Sequence, residues 1–146
     1  CTLETTGQVY AFGASSISQL ESAYIQNIKN ASQYINAIEK DKLAVFRGYS
    51  VNKQQKIVRE IINSIMCNYF VDFNLISSKY KMSISEIFEF INFNTDSLDD
   101  FISDKILVFK ENKISINKSG RLFTRNIAMR FDPLIDKKVG TYSNTV

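Results

Sequence analysis

Six apolar side chains recur at three- and four-residue steps between residues 53 and 69: Ile57, Val58, Ile61, Ile62, Ile65 and Met66. Lys56, Arg59, Glu60 and Asn63 occupy the positions between them. This period predicts an amphipathic helix with one apolar stripe, and such a stripe needs other elements to cover it. Candidates lie further along the chain. Residues 72–80 predict a short helix with Phe73 and Ile76 inward. Residues 83–92 predict another, because Ser83 stands three positions before Glu86 in capping-box spacing and Ile84, Ile87, Phe88 and Ile91 form an apolar face. Residues 97–104 predict one or two further turns. The period then changes. Ile106, Leu107, Val108 and Phe109, then Glu111-Asn112-Lys113, then Ile114, Ser115 and Ile116 predict a β-hairpin. Residues 120–135 return to a helical pattern that ends near Pro133. Phe88, Phe90, Phe93 and Phe101 predict an aromatic core, with Met66 and Cys67 also inside.

The N-terminal third has a different texture. Residues 8–17, Gln-Val-Tyr-Ala-Phe-Gly-Ala-Ser-Ser-Ile, predict a short buried strand running into a loop. Residues 21–40 predict a helix, with Tyr24, Ile28, Ala31, Ile35 and Ile38 at helical steps. Arg47-Gly48-Tyr49 interrupts that pattern, and Ser50 or Asn52 can cap the next helix. A boundary at residues 46–52 divides the chain into a β-α piece, 1–46, and a helical domain, 47–146, that closes on a polar, irregular tail over 137–146. The expected fold is mostly α with a small β-hairpin. The order helix, helix, helix, short helix, hairpin, helix resembles a winged-helix arrangement. A lone β-α unit cannot bury its own strand. Residues 1–46 are therefore expected to come from a larger α/β sheet or barrel, and the start at Cys1 without a methionine fits a piece of a longer chain.

Several function classes fall away. The chain has no histidine, which removes the commonest metal ligand and general base. Cys1 and Cys67 are too far apart for a redox or metal motif, so both are expected as reduced thiols. No metal site and no catalytic residue is assigned. No run of 18 apolar residues and no signal-peptide pattern occurs, so no membrane partner is expected. The net charge of +3 is spread along the chain without a basic block.

Residues 120–132 read Gly-Arg-Leu-Phe-Thr-Arg-Asn-Ile-Ala-Met-Arg-Phe-Asp. This stretch is similar to the signature near the C-terminus of the bacterial oxygen-independent coproporphyrinogen III oxidases, S-adenosylmethionine radical enzymes of haem synthesis. Further segments resemble that family in the same order: Gly13-Ala14-Ser15-Ser16-Ile17-Ser18, Tyr24-Ile25-Gln26-Asn27, Arg47-Gly48, Met66-Cys67-Asn68 and Tyr142-Ser143-Asn144-Thr145-Val146. Asn144 stands where the family usually has Arg.

The resemblance implies the C-terminal part of an enzyme that converts coproporphyrinogen III to protoporphyrinogen IX by oxidative decarboxylation. It implies residues 1–46 as the end of a radical-SAM barrel, a missing N-terminal barrel as partner, and a cytoplasmic location. S-adenosylmethionine and a [4Fe-4S] cluster on a Cys-x-x-x-Cys-x-x-Cys motif are the implied cofactors of the whole enzyme. This chain lacks that motif, so by itself it is expected to be inactive. Ile17 matches an S-adenosylmethionine contact of the family, and Gly13 and Ser15 lie in the same small-residue loop, which lets backbone approach a ligand. Gln26 and Asn27, expected on a helix, and Arg47, Arg121 and Arg125 are candidates for substrate or interface contacts. At α-helical spacing Arg121 and Arg125 share a face.

Two other functions compete. A haem-handling relative would move haem instead of making porphyrin. A winged-helix nucleic-acid binder would need cations before the hairpin. Instead Glu86, Glu89, Asp96, Asp99, Asp100 and Asp104 lie there, so no nucleic-acid partner is expected. The apolar edge of residues 9–14 also predicts a strand-mediated dimer of the isolated chain.

Overall fold

The computed structural model describes residues 8–135. The irregular tail expected over 137–146, its Tyr142-to-Val146 motif and Cys1 lie outside the described residues. The chain divides into two compact units between Lys56 and Ile57.

The first unit is built on an antiparallel sheet in the order β1-β2-β3. Its strands are β1 (Ile17–Gln19), β2 (Ala23–Asn27) and β3 (Val45–Ser50), with helix α1 (Ala31–Glu39) between the last two. This corrects the helix expected over 21–40. Tyr24, Ile28, Ala31, Ile35 and Ile38 satisfy a helical period by coincidence. Asn30 decides the outcome, because its side chain accepts the Gln33 N–H and starts α1 only there. Gln26 and Asn27 therefore sit on a strand. Arg47-Gly48-Tyr49, expected as a break, is the middle of β3. The buried strand expected over 8–17 is also corrected. Val9 makes only an isolated bridge to Gln19, and Val9, Tyr10 and Phe12 are exposed. The strand edge behind the expected dimer is thus absent over 10–14.

Helix α2 (Lys53–Asn68) starts in the first unit and runs into the second. Then come β4 (Phe70–Asp72), α3 (Phe73–Tyr80), α4 (Ile84–Phe90), a 3-10 turn (Thr95–Leu98) and α5 (Asp99–Ser103). The hairpin β5 (Leu107–Lys110) and β6 (Lys113–Ile116), a second 3-10 turn (Ser119–Phe123) and α6 (Thr124–Met129) complete the unit. β4 joins the hairpin through β6, giving an antiparallel sheet in the order β4-β6-β5.

The expected stripe is largely realised: Ile57, Val58, Ile61 and Ile65 of α2 are buried. The capping box of α4 is present in both directions. Ser83 N–H donates to Glu86 Oε2 at 2.7 Å, and Glu86 N–H donates to Ser83 Oγ at 3.2 Å. Phe73, Phe93 and Phe131 carry the aromatic core, with Phe93 stacked on Phe131 at 4.2 Å between centroids. Phe90 and Met66 are exposed and Cys67 is half-buried, against the expectation of core positions. Phe90 and Cys67 fall off the apolar faces of their helices, and Met66 is a member of the α2 stripe that is left uncovered, the buried members being Ile57, Val58, Ile61 and Ile65. Among the described residues no helix is long and apolar enough to cross a membrane.

Candidate functional site

Directly opposed residues of an antiparallel sheet project on the same face, as do residues two apart on one strand. Ile17 opposes Gln26, and Gln26 opposes Arg47. Tyr24, two positions before Gln26, opposes Tyr49. Two cross-strand rows result, Ile17–Gln26–Arg47 and Tyr24–Tyr49. Together with Gly48 they line a groove of about 310 Å³ within the first unit. Ile17 is 53% exposed there, available to a ligand and not committed to a core.

Polar contacts set the groove's chemistry. Arg47 Nε donates to Gln26 Oε1 at 2.8 Å, and Gln26 Nε2 donates to the Ser15 carbonyl at 3.2 Å. The guanidinium is thereby oriented through one of its five donors, leaving others for a ligand's acceptor atoms. No carboxylate lines the groove. It therefore favours an acceptor-rich or anionic group over a cation.

The loop over 11–16 is shaped from the opposite side of β2. Asn27 Nδ2 donates to the carbonyls of Ala11 at 3.3 Å and Gly13 at 3.0 Å, and to Ser16 Oγ at 3.1 Å. Ser16 Oγ donates to the Gly13 carbonyl at 2.6 Å, and Gly13 N–H donates to Tyr34 OH at 3.0 Å. Gly13 has φ of 100°, a conformation that side chains disfavour, although a Cβ there would meet nothing within 4 Å. Ser15 takes a left-handed φ of 61°. Asn27 thus ties backbone together, as buried amides usually do.

The expected candidates divide accordingly. Ile17, Gln26 and Arg47 meet in one groove. Gly13 and Ser15 form the adjoining loop without lining it, and Asn27 braces that loop. Arg121 and Arg125 lie in the second unit, both exposed. Their expected common face has no single α-helix to carry it, because Arg121 is in the 3-10 turn and Arg125 in α6. Arg121 instead lays its guanidinium over the Tyr69 ring, 4.4 Å from the centroid. Tyr24, Gly48 and Tyr49 line the site without having been expected there. Their signal is the alternation Tyr24-x-Gln26 and Arg47-x-Tyr49, which marks one face of a strand pair.

No protein-family model matches the chain. Its structure is similar to a solved radical SAM enzyme, with a TM-score of 0.77, 26% identity and coverage of 92% of this chain and 30% of the other. That enzyme is the coproporphyrinogen III oxidase of Escherichia coli. Curated relatives carry the same designation. Oxygen-independent coproporphyrinogen III oxidase of Salmonella typhimurium is 27% identical over 137 residues, 94% of this chain and 29% of that protein. The Cereibacter sphaeroides enzyme of that name is 30% identical over 131 residues, 90% of this chain and 28% of that protein. The chain thus spans less than a third of the length of these relatives and matches a C-terminal part of them.

Proposed function

We propose that this chain is the C-terminal part of an oxygen-independent coproporphyrinogen III oxidase of the cytoplasm. The whole protein would convert coproporphyrinogen III to protoporphyrinogen IX in haem synthesis. The observation that carries this reading is the structural similarity to the Escherichia coli oxidase over 92% of the chain. In this reading the first unit, which includes all of β3 and so reaches beyond the expected boundary at residue 46, ends a radical-SAM barrel, and the unit from Ile57 onward forms a winged-helix-like domain. The order of α2, β4, α3, α4 and the β5-β6 hairpin supports the second assignment. The hairpin lysines support a role other than nucleic-acid binding, since Lys113 pairs with Asp72 at 3.1 Å and Lys110 with Glu111 at 3.7 Å.

The iron–sulfur cluster does not fit this chain. Its sequence has two cysteines, and no group of three or more His, Cys, Asp and Glu side chains suited to a metal occurs among the described residues. In this reading the three thiolates would come from the proposed N-terminal barrel. S-adenosylmethionine would fit the groove through its carboxylate and ribose hydroxyls, with its sulfonium and ammonium directed away from Arg47, since no carboxylate lines the groove. Ile17 offers apolar contact, and Arg47 and Gln26 offer donors to carboxylate or hydroxyl oxygens. When bound beside a reduced cluster, that cofactor supplies the radical that starts the reaction. Arg121 and Arg125 are the proposed contacts to substrate propionates.

The test uses the intact protein that contains this chain. With the cluster reconstituted anaerobically and S-adenosylmethionine, reductant and coproporphyrinogen III added, protoporphyrin fluorescence is expected to appear. Ile17→Asp is expected to lower the rate at least about tenfold and to weaken S-adenosylmethionine binding, because it places a charge in an apolar contact. Absence of product from cluster-loaded protein, with tight haem binding, would overturn the oxidase in favour of a haem-handling relative.

A further inference from the structure

The second unit holds its own polar cleft, of about 440 Å³, at the end of α6. Asn92, Phe101, Asn126, Met129, Arg130 and Asp132 are among its walls. Two full charges of opposite sign thus face one cavity. They come from positions separated by Phe131, which is 1% exposed and stacked into the aromatic core. Anchoring that residue sends its two neighbours out toward the cleft.

The charges do not satisfy each other. Among the described residues no ion pair joins Arg130 to any carboxylate. Arg130 rests its guanidinium over the Phe101 ring, 5.5 Å from the centroid, which orients the fork without using its donors on an acid. Asp132 Oδ1 accepts the Leu134 N–H at 2.9 Å, which fixes the carboxylate and leaves Oδ2 without a hydrogen bond among the described residues. The side-chain amides of Asn92 and Asn126 make no hydrogen bond among the described residues. Asn92 itself is held at a left-handed φ of 55°. Phe101 and Met129 supply apolar wall between these groups.

A ligand has to match that whole set. A lone carboxylate would suit Arg130 but face Asp132, and a lone amine would suit Asp132 but face Arg130. A compact zwitterion answers both charges, and its uncharged remainder meets Phe101 and Met129. We propose that this cleft binds a free α-amino acid with an unbranched apolar side chain, its carboxylate on Arg130 and its ammonium on Asp132. The volume suits a molecule of that size, being at the small end of ordinary ligand pockets. The two amides then have the carboxylate and ammonium as partners. This proposal stands on the second unit alone and is independent of the assigned reaction.

The 146-residue chain, labelled with ¹⁵N, would be titrated with L-methionine, and separately with propionate and with n-butylamine as single-charge probes. The side-chain amide signals of Asn92 and Asn126 are expected to shift and saturate with L-methionine and not with either single-charge probe. Arg130→Gln and Asp132→Asn are each expected to weaken that binding at least about tenfold. Asp132→Asn keeps an oxygen for the Leu134 N–H, so the turn is preserved. Asn126→Ala, at an exposed position, gives a third variant that tests the cleft without touching either charge. Saturation with propionate as well would overturn the zwitterion and leave a simple anion site. Unsaturated drift of signals, or undiminished binding in the charge variants, would overturn the site altogether.

Discussion

Gly120 has no room for even a methyl group. A Cβ there would overlap the Ile106 carbonyl oxygen, and would lie 2.8 and 2.9 Å from the Cγ2 atoms of Ile106 and Ile116. Its N–H donates to Asn117 Oδ1 at 2.7 Å, so the backbone cannot simply move away. Gly120→Ala is expected to cost about 1–3 kcal/mol of overpacking, seen as a lower denaturant midpoint at unchanged m-value. The glycine that opens the most recognisable stretch of the sequence is thus explained by packing against the hairpin. Asn27 makes the complementary case. A carboxylate in its place could not donate to the Ala11 and Gly13 carbonyls and would set its charge against them. Asn27→Asp is expected to cost about 1–3 kcal/mol locally and to accelerate amide exchange at Gly13 and Ser15, whose N–H groups are bonded to Tyr34 OH and the Ile28 carbonyl. Unchanged exchange at those two amides would show that the loop is held by other contacts.

At the scale of elements, two carboxylates report on how the second unit is held together. Burial raises the Asp72 carboxyl, but hydrogen bonds from Lys113 and from the Asn74 backbone and side chain, with the Lys113 charge, outweigh it and set it below its ordinary value of 3.8. That carboxylate both caps α3 and ties β4 to β6. The Ser83 side chain and backbone N–H likewise hold Glu86 below 4.5, against a smaller opposing effect of burial. Lowered folded values mean that the unfolded chain takes up protons first. The stabilisation is complete above these ordinary values and is lost as pH falls through the lower folded values. Acid unfolding is therefore expected to show proton uptake in that window, and Asp72→Asn with Glu86→Gln is expected to flatten the pH dependence there. The same elements show how far a sequence discloses its fold. The α4 capping box and the β5-β6 hairpin are legible because their partners lie within a few residues. The pairing of β4 with β6 is not, because three residues of strand carry too little pattern and the partner is about forty residues away. The β2-α1 junction is not legible either, because apolar spacing alone fits both periods and the deciding signal is one capping asparagine. The groove shares that difficulty. Its residues Ile17, Gln26 and Arg47 are legible, and their convergence is not.

For the whole molecule, the decisive contrast is where apolar side chains go. The core cluster contains 18 buried residues, all between Ile57 and Phe131. In the first unit only Ala44 and Val51 join the buried apolar residues among those described, while Val9, Tyr10, Phe12, Ile17, Ile35, Ile38, Leu43, Val45, Phe46 and Tyr49 are exposed. Burial of apolar area is the main favourable term in folding, at about 25 cal/mol per Å². The second unit can meet the entropy of its own ordering in this way, and the first has little with which to do so. Sheet hydrogen bonds alone do not compensate, because their net contribution is modest. The isolated chain is therefore expected to open in two steps. Amides of β1, β2 and β3 should exchange through a low-energy opening at little or no denaturant, while those of α2 from Ile61 onward and of β6 exchange only with unfolding of the second unit. In the intact protein, where the proposed barrel would cover the same apolar side chains, the β1–β3 amides should become as protected as the rest. Equal protection of both units in the isolated chain would show that the first unit is self-sufficient and remove the strongest physical reason for giving it a barrel to complete.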